Sequence, residues 1–234
     1  MLCRTHEPFD YLVSLTSYPK RIRLPEVPVV LYSIIRQKTR ARFRLVLVLA
    51  TEEFPGGIRD VPEDICRFVE AGLIELLMWP QNLKAAKKLW PVMAKYPDKP
   101  IMTTDDDIVL DADCVERFVE ESRKHPGCII TEVGHRLSDM YPDVVTGTFR
   151  LYPPHSMLEI PTRYFYDCYG GMEDDAYNAA LAAMKGTKTV IVNSGRCHIV
   201  ESGGFTSTAF AKKYLKVDPV RCREKLGKMI KEKV

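Results

Sequence analysis

Three consecutive aspartates, Asp105, Asp106 and Asp107, separate two apolar runs of the sequence. Two unit charges about 4 Å apart repel each other by about 4 kcal/mol near a protein surface, so such a cluster needs a nearby cation. Mg²⁺ or Mn²⁺ binds carboxylate oxygens and keeps coordination positions for substrate phosphates. In extended geometry the side chains of residues 105 and 107 point the same way. We therefore predict that Asp105 and Asp107 bind one metal ion, and that Asp106 binds a ribose hydroxyl or has a structural role. An acidic turn that caps the next helix is the alternative.

A second group of carboxylates opens an alanine-rich segment, residues 173–185, whose composition predicts a helix that ends at Gly186. Carboxylates in the first turn of a helix are stabilised by the helix dipole whether or not they react. Adjacent Asp174 and Asp175 can also raise each other's pKa, which suits a general base. Both interpretations stay open on this pattern alone.

Three lysines, Lys84, Lys87 and Lys88, lie on a predicted helix shortly before the aspartates. Lys84 and Lys88 are one turn apart and share a face of that helix. A lysine at this place could neutralise a leaving diphosphate, while the alternative is an ordinary solvated surface.

Short apolar runs that alternate with segments of helical spacing must position these side chains. This order predicts a three-layer α/β fold with a mostly parallel sheet, in which ligands gather at the carboxyl ends of the strands. Polar groups follow three such ends, at residues 16–19, 51–53 and 105–107. Residues 134–171 lack a sustained period, and we expect them to form irregular structure and short strands on the acceptor side of a cleft. The predicted strands are 12–15, 43–49, 73–77, 100–104, 128–131 and 189–193; the predicted helices are 29–37, 62–71, the segment after an N-cap at Asp111 or Asp113, and 173–185.

Composition excludes several classes of protein. The net charge of +3, from 34 basic and 31 acidic residues, does not indicate a nucleic-acid partner. No run approaches the roughly 18 apolar residues of a membrane-spanning helix, and no leader-like segment precedes Tyr11. Seven scattered cysteines without a Cys-x-x-Cys pair favour reduced thiols. We therefore expect a cytoplasmic protein.

Two regions follow from the distribution of charge along the chain. We expect one domain over residues 1–215, followed by a basic helical tail over residues 216–234. The tail is either a solvated surface helix or a weak contact with an anionic membrane surface, which would place the protein at the inner face of the membrane.

Four motifs carry a resemblance to a known family: Val-Ser-Leu-Thr-Ser-Tyr-Pro-Lys-Arg-Ile from residue 13, Ile-Ile-Arg-Gln from 34, Lys-Lys-Leu-Trp-Pro from 87 and Thr-Asp-Asp-Asp-Ile from 104. With them the chain resembles nucleotide-sugar glycosyltransferases of the GT-A fold, in particular family-2-like bacterial members that build surface polysaccharides. The resemblance covers about residues 10–205 and is densest up to residue 110. It implies a Rossmann-like three-layer α/β/α domain with an Asp-x-Asp motif at the end of a central strand.

The resemblance also implies roles on the donor side. Thr16 and Tyr18 would lie near the nucleotide base, and Arg21 nearer the phosphates. A rigid surface turn at Tyr18-Pro19 is the alternative. Lys87 and Lys88 match the family pattern for the leaving diphosphate.

On the acceptor side, inverting members place a catalytic aspartate eleven residues before a glycine that ends its helix. Counting back from Gly186 identifies Asp175 as the candidate general base, with Asp174 as the second candidate. His198 corresponds to a late histidine that some members use as a further metal ligand, although a lone histidine is more often structural.

The expected function is transfer of a hexose from a nucleoside-diphosphate sugar, with UDP as the expected nucleotide and Mn²⁺ or Mg²⁺ as cofactor. The acceptor would be a hydroxyl of a saccharide or glycolipid, and a base at Asp175 favours inversion. A nucleotidyltransferase acting on a sugar phosphate is one alternative, although no glycine-rich phosphate loop opens the chain. A non-catalytic sugar-nucleotide binding module is the other.

Overall fold

A computed structural model describes residues 5–132, 134–138, 141–159 and 174–200. The predicted basic tail at 216–234 and the end of the 1–215 domain therefore lie outside the described residues. Within the described part, the chain is mixed α/β, as the sequence predicts.

A seven-stranded sheet forms the centre of the molecule. Its strands are β1 (Tyr11–Thr16), β2 (Phe43–Ala50), β3 (Glu75–Trp79), β4 (Ile101–Thr103), β6 (Ile129–Thr131), β9 (Arg150–Tyr152) and β10 (Thr189–Ile191). The order across the sheet is β10-β6-β9-β4-β1-β2-β3. Six of these strands are mutually parallel, and β9 runs antiparallel to both of its neighbours.

Two small antiparallel pairs accompany this sheet. Strand β5 (Ile108–Leu110) pairs with β11 (Cys197–Ile199), and β7 (His135–Ser138) pairs with β8 (Tyr141–Thr146).

Helices cover both faces of the central sheet, which produces the predicted three layers. They are α1 (Glu26–Ile35), α2 (Glu63–Glu70), α3 (Trp90–Lys95), α4 (Cys114–Lys124) and α5 (Asp174–Lys185), with 3-10 helices at Gly57–Asp60 and Lys84–Lys88.

Alternate residues of β1 enter two different cores because successive side chains of a strand point to opposite faces. Val13 and Leu15 pack with α1, α2 and α4, whereas Leu12 packs with α3 and α5. The strand is buried on both faces, which is why it is apolar almost throughout.

Two predictions of local structure need correction. The lysine segment is a 3-10 helix rather than an α-helix, and it leads into the short helix α3, which the sequence pattern did not predict. Pro91 is tolerated there because the first turn of a helix needs no amide donor from it. The irregular region contributes β9 to the middle of the sheet rather than only to the acceptor side.

Among the described residues, no helix combines the length and apolar character needed to cross a bilayer. The cysteines described are free thiols, namely Cys66, Cys114, Cys128 and Cys197.

Candidate active site

The aspartate triplet lies in a turn rather than in a strand. Strand β4 ends at Thr103, and the chain turns at Asp106 and Asp107 before β5 begins. The alternation assumed for an extended segment is therefore wrong here. Asp106 and Asp107 contact the same cation, while Asp105 contacts a different one.

That shared cation is Arg21, which follows the first strand. Its Nε lies 3.4 Å from one oxygen of Asp106, and its Nη2 lies 2.9 Å from an oxygen of Asp107. Ser17 donates a hydrogen bond of 2.5 Å to the other oxygen of Asp106. Burial raises the pKa of Asp106 to about 6 against the opposing effects of Ser17 and Arg21, and burial together with Asp105 raises the pKa of Asp107.

Lys88 joins the triplet to the start of α5. Its Nζ lies 2.8 Å from Asp105, 3.3 Å from Asp174 and 3.6 Å from Asp175, and its side chain is only 3% exposed. Burial by itself lowers the pKa of this lysine, but the three carboxylates raise it well above its usual value. Lys88 is therefore a buried ammonium that bridges two distant parts of the sequence.

Lys87 forms a separate buried pair at the same edge of the sheet. Its ammonium contacts the carboxylate of Glu53, which follows β2, and lies 3.2 Å from the side-chain oxygen of Asn82 and 3.5 Å from the carbonyl of Ser17. Burial lowers the pKa of Lys87, while Glu53 opposes that change. The polar groups predicted at the carboxyl ends of β1, β2 and β4 are thus linked through Ser17, Lys87 and Asp106.

The two carboxylates of α5 differ in access to solvent. The side chain of Asp174 is 6% exposed and that of Asp175 is 32% exposed. Burial raises the pKa of Asp175 to about 7, with Lys88 opposing and Asp174 adding to the rise; burial also raises the pKa of Asp174. Asp175 is therefore the carboxylate that an external hydroxyl could reach.

Arg150 of β9 is a site residue that the sequence reasoning missed. Its side chain is fully buried, and its guanidinium donates to the main-chain oxygens of Asp175, at 3.2 Å, and Val145, at 2.9 Å. Because β9 pairs with β4, Arg150 lies opposite Thr103 at the end of the strand that precedes the triplet. A single charged residue in an aperiodic region carries no local signal of such a position.

Glu132 was also missed, and it holds the loop that leads to β11. This fully buried carboxylate accepts hydrogen bonds of 2.7 Å from the hydroxyl of Ser194 and from the amide of Gly195. Its place directly after strand β6 is the signal that could have identified it.

His198 does not contact the triplet. Its Nε2 lies 3.1 Å from Asp111, and its ring is 56% exposed. The residue directly after its strand nevertheless reaches the site through the backbone, since the amide of Val200 donates to the carbonyl of Asp107 at 2.7 Å.

Thr16 and Tyr18, the residues predicted to lie near the nucleotide base, both form hydrogen bonds within the protein. The hydroxyl of Thr16 donates to the carbonyl of Val48 at 2.7 Å, which ties the ends of β1 and β2 together. Tyr18 is partly buried, and its carbonyl accepts a hydrogen bond from the amide of Ile22. The turn therefore leads directly to Arg21.

The charge balance of the site favours an added cation. Two carboxylate groups, the triplet and the pair that opens α5, supply five acidic side chains, whereas Arg21, Lys88 and Arg150 supply three positive charges. Within the described ranges no cluster of three or more His, Cys, Asp or Glu side chains is arranged to hold a metal by itself. Mg²⁺ and Mn²⁺ usually take one or two carboxylates and complete their shell with water and phosphate, so Asp105 and Asp107 fit the group in donor chemistry.

Comparison with known proteins rests on structure alone, because neither a family model nor a curated protein matches the chain. The mannosyltransferase PcManGT of Pyrobaculum calidifontis, solved with GDP-Man and Mn²⁺, matches with a TM-score of 0.57 and 16% identity. The match covers 97% of this chain and 71% of the PcManGT chain. TarS of S. aureus, solved with UDP, matches with a TM-score of 0.56 and 9% identity. The chain has the GT-A fold.

The matched structures differ in how much of their own length they share with this chain. The match to TarS covers 80% of this chain but only 59% of the TarS chain. The structure of a 4-diphosphocytidyl-2C-methyl-D-erythritol synthase also matches, with a TM-score of 0.53 and 11% identity, over 84% of this chain and 95% of the synthase chain. At 9–16% identity these matches establish the fold, and one fold can host several activities.

Proposed function

We propose that the chain is a metal-dependent glycosyltransferase that moves a sugar from a nucleoside-diphosphate sugar, with UDP as the nucleotide, to an acceptor hydroxyl. The observation that carries the proposal is the contact of Lys88 with both Asp105 and the carboxylates of α5. It brings a donor-side carboxylate and a reachable base into one network. Transfer between two bound substrates requires such proximity.

The donor would lie along the carboxyl ends of β1, β2 and β4. Thr16 and Tyr18 would line the base, and Arg21, Lys87 and Lys88 would provide positive charge along the diphosphate. A metal ion held by Asp105 and Asp107 would stabilise the charge that develops on the leaving diphosphate. Asp106, already hydrogen-bonded to Ser17, would orient this turn or meet a ribose hydroxyl.

The chemical step would use Asp175 as the general base. A carboxylate oxygen of Asp175 takes the proton of the acceptor hydroxyl while the acceptor oxygen bonds to the anomeric carbon. The bond from that carbon to the diphosphate oxygen breaks, and its electron pair stays on the diphosphate. Attack from the face opposite the leaving group inverts the anomeric centre. Asp174, which is more buried, would position Lys88 and the start of α5.

The biological setting extends this proposal. A saccharide or glycolipid acceptor in polysaccharide or glycoconjugate synthesis, handled in the cytoplasm or at the inner face of the membrane, fits the expected family. The basic tail at 216–234 would be the part that approaches an anionic surface.

A nucleotidyltransferase is the second candidate because the synthase structure shares nearly its whole length with this chain. Such an enzyme binds a nucleoside triphosphate and releases pyrophosphate, whereas a glycosyltransferase releases a nucleoside diphosphate. A binding module would bind the nucleotide without metal-dependent turnover.

Nucleoside diphosphates are expected to raise the melting temperature when Mn²⁺ is present. A ligand at a hundred times its dissociation constant adds about 2.7 kcal/mol, which corresponds to roughly 5–10 °C for a chain of this size. The measurement is a thermal-shift screen of UDP, GDP and CTP with and without Mn²⁺. Asp107→Ala should lose the metal-dependent part, whereas the exposed control Asp98→Ala should keep it. A larger shift with CTP than with UDP or GDP would favour the nucleotidyltransferase.

The pH dependence should show opposite trends for rate and stability. With a pKa of about 7, Asp175 becomes a competent base as pH rises, so kcat/KM should increase about tenfold per pH unit below that value and then level off. The folded pKa is raised above the usual 3.8, so the folded state binds the proton more tightly. This carboxyl's contribution therefore lowers the free energy of unfolding as pH rises from about 4 to about 7. Rate profiles and urea melts of the wild type and Asp175→Asn test both; a wild-type rate that is flat over this range contradicts the assignment.

A further inference from the structure

Arg21 occupies one of the two carboxylates that the proposed metal would need, that of Asp107. Its side chain is 7% exposed, and its guanidinium contacts both Asp106 and Asp107. The oxygen of Asp107 that it approaches at 2.9 Å belongs to one of the two carboxylates assigned to the metal. A guanidinium stays charged at every accessible pH, so Arg21 cannot release Asp107 by losing a proton.

A divalent cation at Asp107 would therefore meet a fixed positive charge. Asp107 attracts both the guanidinium of Arg21 and a divalent metal ion, but these two cations repel each other when they share one carboxylate. The repulsion falls if the guanidinium moves to another anion. A diphosphate provides that anion, because the planar fork of arginine binds phosphate oxygens with two parallel hydrogen bonds.

The two aspartates are not equally dependent on Arg21. Asp106 keeps the hydrogen bond from Ser17 at 2.5 Å when the guanidinium leaves, so its buried charge retains a partner. The side chain of Asp107 is 29% exposed, and Arg21 is its ion-pair partner within the described residues. Departure of Arg21 would thus free Asp107 selectively.

We propose that Arg21 couples the binding of the diphosphate to the binding of the metal by moving from Asp107 to the phosphates. This inference rests on the proposed function and adds an order to it: the metal alone binds weakly, and the nucleotide releases its ligand. Because coupling is reciprocal, the metal strengthens nucleotide binding by the same factor. A solely structural ion pair would change stability and leave this factor unaltered.

Isothermal calorimetry of Mn²⁺ alone, and of Mn²⁺ in saturating UDP or GDP, tests the coupling. In the wild type we expect the nucleotide to tighten Mn²⁺ binding by about a hundredfold, within the usual range for coupled sites. In Arg21→Gln, Mn²⁺ alone should bind about tenfold more tightly, and the gain from the nucleotide should shrink by at least that factor. Arg23→Gln is the matched control, since Arg23 is exposed and donates only to the carbonyl of Asp60 at 3.3 Å among the contacts described.

The outcomes separate this inference from the proposed function. Unchanged or weaker binding of Mn²⁺ alone in Arg21→Gln would overturn the role of Arg21, even if nucleotides bind. Failure of UDP and GDP to bind the wild type would overturn the proposed donor, while the titration with Mn²⁺ alone would still decide whether Arg21 competes with the cation. If circular dichroism shows that Arg21→Gln does not fold, Arg21→Lys is the second variant, because it keeps the charge but not the two parallel hydrogen bonds of the guanidinium. It should lose most of the increase in Mn²⁺ affinity that the nucleotide causes. Retention of the full increase would overturn the proposal.

Discussion

Asp175→Asn is expected to lower the rate of sugar transfer by about a hundredfold or more, the usual contribution of a general base. The amide has nearly the shape of the carboxyl group but cannot take the acceptor proton. Donor binding should persist, because Asp175 lies at the start of α5 and the donor would lie along the strand ends. The measurement is kcat with a UDP-sugar, together with UDP affinity in Mn²⁺.

The choice between the two carboxylates of α5 depends on access. A base must come within about 2.6–3.2 Å of the proton that it removes. The side chain of Asp175 is 32% exposed, whereas that of Asp174 is 6% exposed. Asp174→Asn should therefore reduce the rate less than Asp175→Asn and act mainly on stability. The opposite ranking would transfer the role of base to Asp174, and full activity of Asp175→Asn would remove Asp175 from the mechanism.

Lys88→Met is expected to lower the free energy of unfolding by about 3–5 kcal/mol, because the removal of one member of a buried ion network leaves uncompensated charge. Methionine keeps much of the volume of the side chain, so the loss reports charge rather than a cavity. Lys84→Met, an exposed lysine of the same 3-10 helix, is the control and should change stability by less than about 0.5 kcal/mol. Urea unfolding measures both.

The pH dependence of that loss identifies its cause. Without Lys88 the pKa values of Asp174 and Asp175 should rise further, so the loss relative to the wild type grows as pH rises from the wild-type folded pKa, about 7 for Asp175, through the new folded values. The difference between Lys88→Met and the wild type should thus be larger at pH 8 than at pH 5. Adding Asp174→Asn should restore part of the lost stability. A loss that is independent of pH and is not relieved by Asp174→Asn would mean that packing, not charge, accounts for the role of Lys88.

The local sequence determined most of the layered architecture. Runs such as Phe43–Ala50 are apolar at nearly every position, which marks strands buried on both faces, and the intervening segments have the spacing of helices. Because ligands gather at the carboxyl ends of parallel strands, the sequence pattern alone predicts that the residues after β1, β2 and β4 lie at one edge of the sheet. Ser17, Glu53 and the aspartate triplet do meet there.

Tertiary structure decided what the sequence pattern could not. Strand β9 is only three residues long and runs antiparallel to its neighbours, so no hydrophobic periodicity in the sequence predicts that Arg150 contacts the start of α5. The ion-pair partners of the lysines could not be predicted either, because the sequence of a short helix does not show whether a lysine is solvated or buried. Lys88 reaches Asp174 and Asp175 across more than eighty positions of the chain. Residue types and strand ends are local properties and can be read from the sequence; which charges neutralise one another depends on distances that only the packed chain sets.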